Sequence, residues 1–272
     1  MDQTRVKRKA EALQLAIVQT NPVFGQPEVN VRAAIAAMKS VAADLYVLPE
    51  LFNTGYNFID SDEVESAAER IDGPTFQVLL NFARSTPCYI AYGFAERADH
   101  IYNSAVILGP AGLVGLYRKV HLFDRENLFF KPGNLGFPVF ELPFGKIGLM
   151  ICFDWIYPEA ARTLALKGAQ LIAHPSNLVL PHCPDAMVTR CLENKVFAAT
   201  ADRVGAENRG SVGLRFIGSS GVVSPRGEIL VRMGRDEAGI AVVGLNLQEA
   251  DTKKINEFND LLANRNPGQY GL

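Results

Sequence analysis

Lys146-Ile147-Gly148-Leu149-Met150-Ile151-Cys152-Phe153-Asp154-Trp155-Ile156-Tyr157-Pro158-Glu159 is an apolar run of strand type that stops at a cysteine. Pro158, followed by good helix formers from Glu159 to Lys167, then opens a helix within six residues of it. The pattern predicts a strand, a sharp corner holding a thiol, and a helix. A free thiol has a pKa near ~8.5, so a cysteine at such a corner is a useful nucleophile only with a base beside it. Without partners it reads as core filler, a small hydrophobe.

Two other segments offer partners. Asp44-Leu45-Tyr46-Val47-Leu48-Pro49-Glu50 is a short buried-looking strand ending in Pro-Glu, which puts a carboxylate at a strand's carboxyl end. In Gly115-Leu116-Tyr117-Arg118-Lys119-Val120-His121-Leu122-Phe123 a lysine sits where another strand runs out. Polar groups at three strand ends are expected to converge on one pocket.

Glu50, Lys119 and Cys152, in that order, resemble the Glu-Lys-Cys triad of the nitrilase (carbon-nitrogen hydrolase) superfamily. Their surroundings resemble it too: Leu48-Pro49-Glu50 with Gly55-Tyr56, Tyr117 to Leu122, Pro132-Gly133, and Ile151-Cys152-Phe153-Asp154 with Pro158-Glu159. The resemblance runs from about Leu13 to the region of Asn259-Asp260-Leu261-Leu262 and Arg265. It implies an α/β fold, a four-layer α-β-β-α sandwich of two mixed sheets, assembled as a homodimer or larger homo-oligomer. It also implies a cofactor-free thiol hydrolase of non-peptide carbon-nitrogen bonds, acting on a small-molecule amide or nitrile. Residues 13–272 are expected to form the hydrolase domain, and residues 1–12, basic and outside the resemblance, a flexible extension.

On this reading Cys152 attacks, and Glu50 is the general base that returns the proton to the departing nitrogen, provided burial raises its pKa. Lys119 and the backbone N–H of Phe153 stabilise the charge that builds on the carbonyl oxygen or nitrile nitrogen. Glu126 matches a second family glutamate that orients substrate or lysine, against a plain loop ion pair with Arg125 or Lys131. Tyr56 packs beside Glu50 and desolvates it. Trp155 walls the pocket or fills the core, and Asn177 supplies a substrate-side hydrogen bond. His121 is not the expected base, and Cys88, Cys183 and Cys191 are packing residues.

The substrate is less sharply defined. Cys152-Phe153-Asp154 stands where many nitrilases proper carry Cys-Trp-Glu, which leans toward amidases and carbamoyl hydrolases. Cys-Phe-Asp-Trp with His174-Pro175-Ser176-Asn177-Leu178 is also similar to small archaeal members described as nitrilases. Carbamoyl amino acids would need a cationic clamp, for which Arg125, Arg190 and Arg203 are available. From other classes, the alternatives are a catalytically silent interaction module and a zinc hydrolase.

The whole chain bounds these choices. It has 272 residues with no composition break, a net charge of 27 − 29 = −2 and a 48% hydrophobic share. No block of like charge argues for a nucleic-acid or anionic-membrane partner. No apolar run approaches the roughly 18 residues a membrane span needs. Four cysteines are too few for a disulfide scaffold at this length and fit a reducing cytoplasm. His100, His121, His174 and His182 lack zinc-site spacing, so no metal is expected.

Periodicity predicts a buried strand at Leu15 to Gln19 and a helix after Pro27 with Val31, Ala34 and Met38 on one face. A helix from about Pro74 to Arg84 precedes strands around Cys88 to Phe94 and Asn103 to Leu108. Gly109-Pro110-Ala111-Gly112 turns the chain into the Lys119 strand. After the cysteine corner come a helix to about Gly168, a strand to His174 and a long helix from about Pro184 to Ala198. Strands at Gly218 to Val223, Ile229 to Met233 and Ile240 to Leu245 complete the pattern, and Glu159 and Arg162 are expected to pair across one helix turn.

Overall fold

In the computed structural model, which describes residues 12–270, Leu15 and Ile17 bury one face of the first strand while Ala16 and Val18 bury the other. A strand apolar on both faces belongs in the middle of a covered sheet. The first half of the chain runs β1 (Leu13–Gln19), α1 (Pro27–Lys39), β2 (Leu45–Val47), α2 (Ser61–Ala67), α3 (Pro74–Ser85), β3 (Tyr89–Arg97), β4 (Ile101–Gly109), β5 (Gly112–Arg118) and α4 (Glu126–Phe129). The second half runs β6 (Val139–Leu142), β7 (Gly145–Leu149), α5 (Pro158–Leu166), β8 (Leu171–Pro175), α6 (Cys183–Asn194), β9 (Phe197–Ala201), β10 (Ala206–Arg209), β11 (Val212–Arg215), β12 (Gly221–Val223), β13 (Ile229–Arg232) and β14 (Gly239–Leu245).

These strands form two six-stranded mixed sheets, β14-β1-β2-β3-β4-β5 and β13-β12-β9-β8-β7-β6, with a separate hairpin β10-β11. The sheets face each other through Leu15, Ile17, Val47 and Ala91 on one side and Ile147, Leu149, Ala173 and Ala199 on the other. Helices α1 and α3 cover the outside of the first sheet with Val31, Met38, Phe76 and Leu79. Helices α5 and α6 cover the second with Ala160, Leu164, Met187 and Cys191. The result is the expected four-layer α-β-β-α sandwich.

Topology brings the candidate residues to one rim. β2 is parallel to β3, β3 antiparallel to β4 and β4 antiparallel to β5, so β2 and β5 run the same way. Glu50 and Lys119 therefore leave the sheet at the same edge. Gly93 on β3 permits this crowding, since a Cβ there would lie 2.6 Å from Glu50 Cα.

Three features differ from expectation. The long helix ends at Asn194, where Lys195 turns left-handed at φ +49°, and Phe197–Ala201 is the fully buried strand β9. Its alanines favour helix intrinsically, but the slot between β8 and β12 takes small side chains on a backbone that both neighbours pair. Arg162 turns away from Glu159 and donates to the Glu193 carbonyl at 2.9 Å, tying α5 to α6. The hairpin β10-β11, for which periodicity gave no signal, folds over the rim and pairs Arg209 with Glu63 at 2.7 Å. The extension expected at residues 1–12 lies, apart from Ala12, outside the described residues. No helix among the described residues is long and apolar enough to cross a membrane.

Candidate active site

The apolar strand β7 ends at Leu149, and the chain breaks out of it at Cys152, whose φ of +40° lies in the left-handed region. For a residue with a Cβ that conformation costs about 1–3 kcal/mol and persists only where neighbours enforce it. Asp154 does so. Its carboxylate accepts from Ile151 N at 2.8 Å, Tyr117 Oη at 2.6 Å, His121 N at 3.2 Å and His121 Nδ1 at 2.7 Å. One buried side chain thus ties the cysteine corner to the segment carrying Lys119. His121 also stacks on Tyr157 at 3.7 Å, so its ring serves this brace.

A second brace comes from β8. His174 is buried, with Nε2 2.9 Å from the Cys152 carbonyl oxygen and Nδ1 3.0 Å from Thr200 Oγ1. Burial lowers its pKa to about 4, so the ring is neutral, donating from Nε2 and accepting at Nδ1. The Cys152 Sγ itself lies 3.6 Å from the Asn177 carbonyl oxygen.

Around the thiol lies a dry polar cluster. Glu50 and Lys119 are wholly buried and Glu126 nearly so. Lys119 Nζ lies 2.7 Å from Glu50 Oε1 and 2.7 Å from Glu126 Oε1. An ammonium has three N–H groups, so one remains for another acceptor. Tyr56 Oη donates to Glu126 Oε1 at 2.5 Å. Asn103 Nδ2 donates to Glu50 Oε1 at 2.6 Å and to Glu126 Oε2 at 3.4 Å. Glu50 Oε2 is buried with no hydrogen-bond partner.

Burial dominates the titration of this cluster. It raises the Glu50 carboxyl to about 7, partly offset by Lys119 and reinforced by Glu126. Burial alone would lower the Lys119 pKa, but the Glu126 and Glu50 carboxylates outweigh it and hold the amine charged. Burial, then Glu50, pushes the Cys152 thiol well up, with Lys119 pulling the other way. The resting arrangement at neutral pH is a neutral thiol, a charged lysine and a carboxyl near its titration midpoint. It can pass a proton from sulfur to Glu50 while Lys119 meets a developing negative charge.

The aromatic side chains frame this cluster. Phe153 packs edge-on against Phe123 at 5.0 Å, and Tyr56 against Phe216 at 6.0 Å. A small cavity of about 30 Å³ beside Glu126 is lined by Tyr56, Phe123, Phe130, Val212 and Leu214, so the hairpin contributes a wall. A larger cavity, about 1090 Å³, lies instead among α1, α2 and α3 and is lined by none of the candidate residues. It is an open groove on the helical side of the first sheet, and Phe58 lines both it and the small cavity.

The candidate side chains divide between the expected places and others. Tyr56 lies close enough to feel the Glu50 charge, and its hydroxyl reaches Glu126, while Asn103 and Lys119 occupy Glu50 Oε1. Asn177 donates one Nδ2 hydrogen to the Glu50 backbone carbonyl at 2.8 Å, which leaves its second N–H and its buried, unpartnered Oδ1. Trp155 is a core residue, and its carbonyl accepts from Arg190 Nε at 3.1 Å. Glu126 faces Lys119 rather than Arg125 or Lys131. Phe153 opens a 3₁₀ turn with Cys152, where the first N–H groups lack intrahelical partners. Asn103, Asp154 and His174 drew no expectation; Asn103 alone carried a signal, a poor strand former inside the apolar run of β4. Among the described residues no cluster of three or more His, Cys, Asp or Glu is placed to hold a metal.

Residues 14–254 match the model of the carbon-nitrogen hydrolase family. The chain belongs to that family. This carbon-nitrogen hydrolase is 49% identical over 263 residues to a protein of Pyrococcus abyssi named nitrilase, covering 95% of this chain and 99% of that one. It superposes on a carbon-nitrogen hydrolase of Helicobacter pylori G27 with TM-score 0.86 and 25% identity, over 95% of this chain and 97% of the other. An amidase variant of Nesterenkonia sp. AN1, solved with acrylamide added at its active-site cysteine, matches with TM-score 0.73 and 26% identity, over 87% of this chain and 95% of that one. The family makes this an enzyme of the amidase and nitrilase type.

Proposed function

We propose that this carbon-nitrogen hydrolase cleaves small aliphatic amides to a carboxylic acid and ammonia through a thioester on Cys152. The observation that carries the reading is the buried Glu50 Oε2, free of partners on a carboxyl raised to about 7 by burial. A base matched to neutral pH with one open lone pair suits a thiol that will not ionise by itself. As Sγ attacks the carbonyl carbon, its proton passes to Glu50 and the carbonyl electron pair moves to oxygen. The remaining Lys119 proton and the Phe153 backbone N–H stabilise that oxyanion, and Glu126 with Tyr56 holds the ammonium in place.

Collapse of the adduct breaks the carbon-nitrogen bond while Glu50 hands its proton to the nitrogen, and ammonia leaves. Water then gives a proton to Glu50 and attacks the thioester. The carbon-sulfur bond breaks, and the thiol recovers the proton. The Nesterenkonia amidase's modified cysteine supports sulfur as the attacking atom.

Of the three arginines that could clamp a carboxylate, Arg190 is held by Glu193 and the Trp155 carbonyl, and buried Arg203 by Glu207. Arg125 lines the small cavity and donates to the Ile59 carbonyl at 3.3 Å, so a clamp there falls to Arg125. The apolar walls Phe130, Val212 and Leu214 suit a short hydrocarbon chain. The Pyrococcus relative's name supports a second reading, a nitrile substrate. There the first adduct is a thioimidate, which takes up water before ammonia leaves.

Ammonia release from short amides, carbamoyl amino acids and aliphatic nitriles, measured with wild type and Cys152→Ala, tests both readings. Release from amides that vanishes in the variant is expected. Release that persists in Cys152→Ala would sink the thiol mechanism, and release from nitriles alone would replace the amidase reading with the second.

A further inference from the structure

We infer that Asn103 is a positioning residue for this reaction, its side-chain amide bridging Glu50 and Glu126 so that Glu50 Oε1 is held and Oε2 is left open to the thiol proton. The inference rests on the roles proposed above for Glu50 and Cys152. Asn103 sits on β4 opposite Ala95, and its backbone carbonyl accepts from the Lys119 N–H at 2.8 Å. The sheet thus locks Asn103 against the residue that also binds both carboxylates.

The amide has one workable orientation. Reversed, its oxygen would face carboxylate oxygens of Glu50 and Glu126, acceptor against acceptor. In the orientation present, Asn103 Oδ1 is buried with no partner. A packing residue has no reason to carry that cost, because leucine would fill a similar volume without an unsatisfied oxygen. The cost is offset by what Nδ2 does: it donates to the charged form of Glu50 and so opposes the upward pull of burial on that carboxyl. It also removes the choice between two equivalent oxygens. With Oε1 taking both Asn103 and Lys119, proton transfer has a single acceptor atom.

Asn103→Leu keeps the volume and removes the donor. With an amide that wild type hydrolyses, kcat/KM should fall about 10- to 100-fold, the share of a hydrogen bond to a charged group. KM should stay within about twofold, since the lost contact does not bind substrate. The acid-side midpoint of the pH profile should move upward from about 7 by about half a pH unit or more. Alkylation of Cys152 by iodoacetamide, followed by peptide mass, should show the same shift without any substrate. Asn103→Ser, with a hydroxyl donor, serves if the leucine variant fails to fold, and its midpoint should move the same way by less.

Profiles that superimpose on wild type, with only a smaller active fraction, would overturn the inference. If no panel substrate releases ammonia yet the alkylation midpoint shifts, Asn103 stands as the residue that positions Glu50, and only the substrate reading falls.

Discussion

Among the described residues, two almost wholly buried ion clusters invite comparison, Glu50–Lys119–Glu126 at the rim between the sheets and Arg203–Glu207 beneath the hairpin. Burial is nearly complete in both. Satisfaction is not. Glu207 accepts from Arg203, from Tyr56 N at 3.1 Å and from Asn57 N at 2.7 Å, and Arg203 also lies 4.0 Å over the Phe216 ring. Gly55 gives Glu207 room, since a Cβ there would lie 2.8 Å from its Oε1. In the rim cluster Glu50 Oε2 has no partner. A saturated pair holds chains together, whereas a cluster with an open acceptor next to a thiol is arranged for something to arrive. Burial alone therefore does not distinguish a structural charge from a reactive one, nor does an open oxygen by itself, since Asp202 Oδ2 is also buried without a partner; the rim cluster combines the open oxygen with a charged lysine and the Cys152 thiol.

The comparison predicts opposite outcomes for the two clusters. Glu50→Gln should lower kcat by about 10²- to 10⁴-fold, the range for losing a general base. It should leave the melting temperature at pH 7 unchanged or higher. A carboxyl raised in the folded state from its ordinary value to about 7 favours folding only while both states are protonated. Its contribution declines as pH climbs through that interval, so at neutral pH the side chain is a net cost. A large drop in melting temperature would show that Glu50 is structural after all.

Arg203→Leu should behave the other way. It strands Glu207 in a dry site, and breaking a buried pair costs about 3–5 kcal/mol. Calorimetry should show a lower melting temperature, while kcat per folded molecule stays close to wild type. An intact melt with lost activity would move Arg203 into the reacting cluster. The smallest effect is in the wild type: kcat/KM should fall as pH drops through about 7, where Glu50 gains its proton. A profile flat across that range would mean that Glu50 is not the base.

Legibility differed between these regions for a physical reason. Glu50, Lys119 and Cys152 each end an apolar strand with a polar residue, a local contrast that a sequence carries on its face. Glu126 was recognisable only through the resemblance, because the short helix Glu126–Phe129 has no pattern of its own. The Arg203–Glu207 pair and the hairpin beside it were silent. Their pattern of exposed and buried residues is too short to separate strand from loop. Phe197-Ala198 misled in the opposite direction, reading as the end of the long helix until two neighbouring strands claimed the backbone.

Strand periodicity and abrupt polar stops are local properties of a chain, so the candidate strand ends and the residue types placed there were readable from the sequence, and its resemblance to the family implied the layered fold. Long-range packing set which oxygen of Glu50 is free, that Asn103 holds the other, that Asp154 and His174 brace the cysteine corner, and that the Tyr56 hydroxyl meets Glu126. Those outcomes depend on contacts between residues as far apart as Glu50 and Lys119, separated by 69 positions. Burial, which sets the proton affinities, is a property of the packed rim and of no single segment.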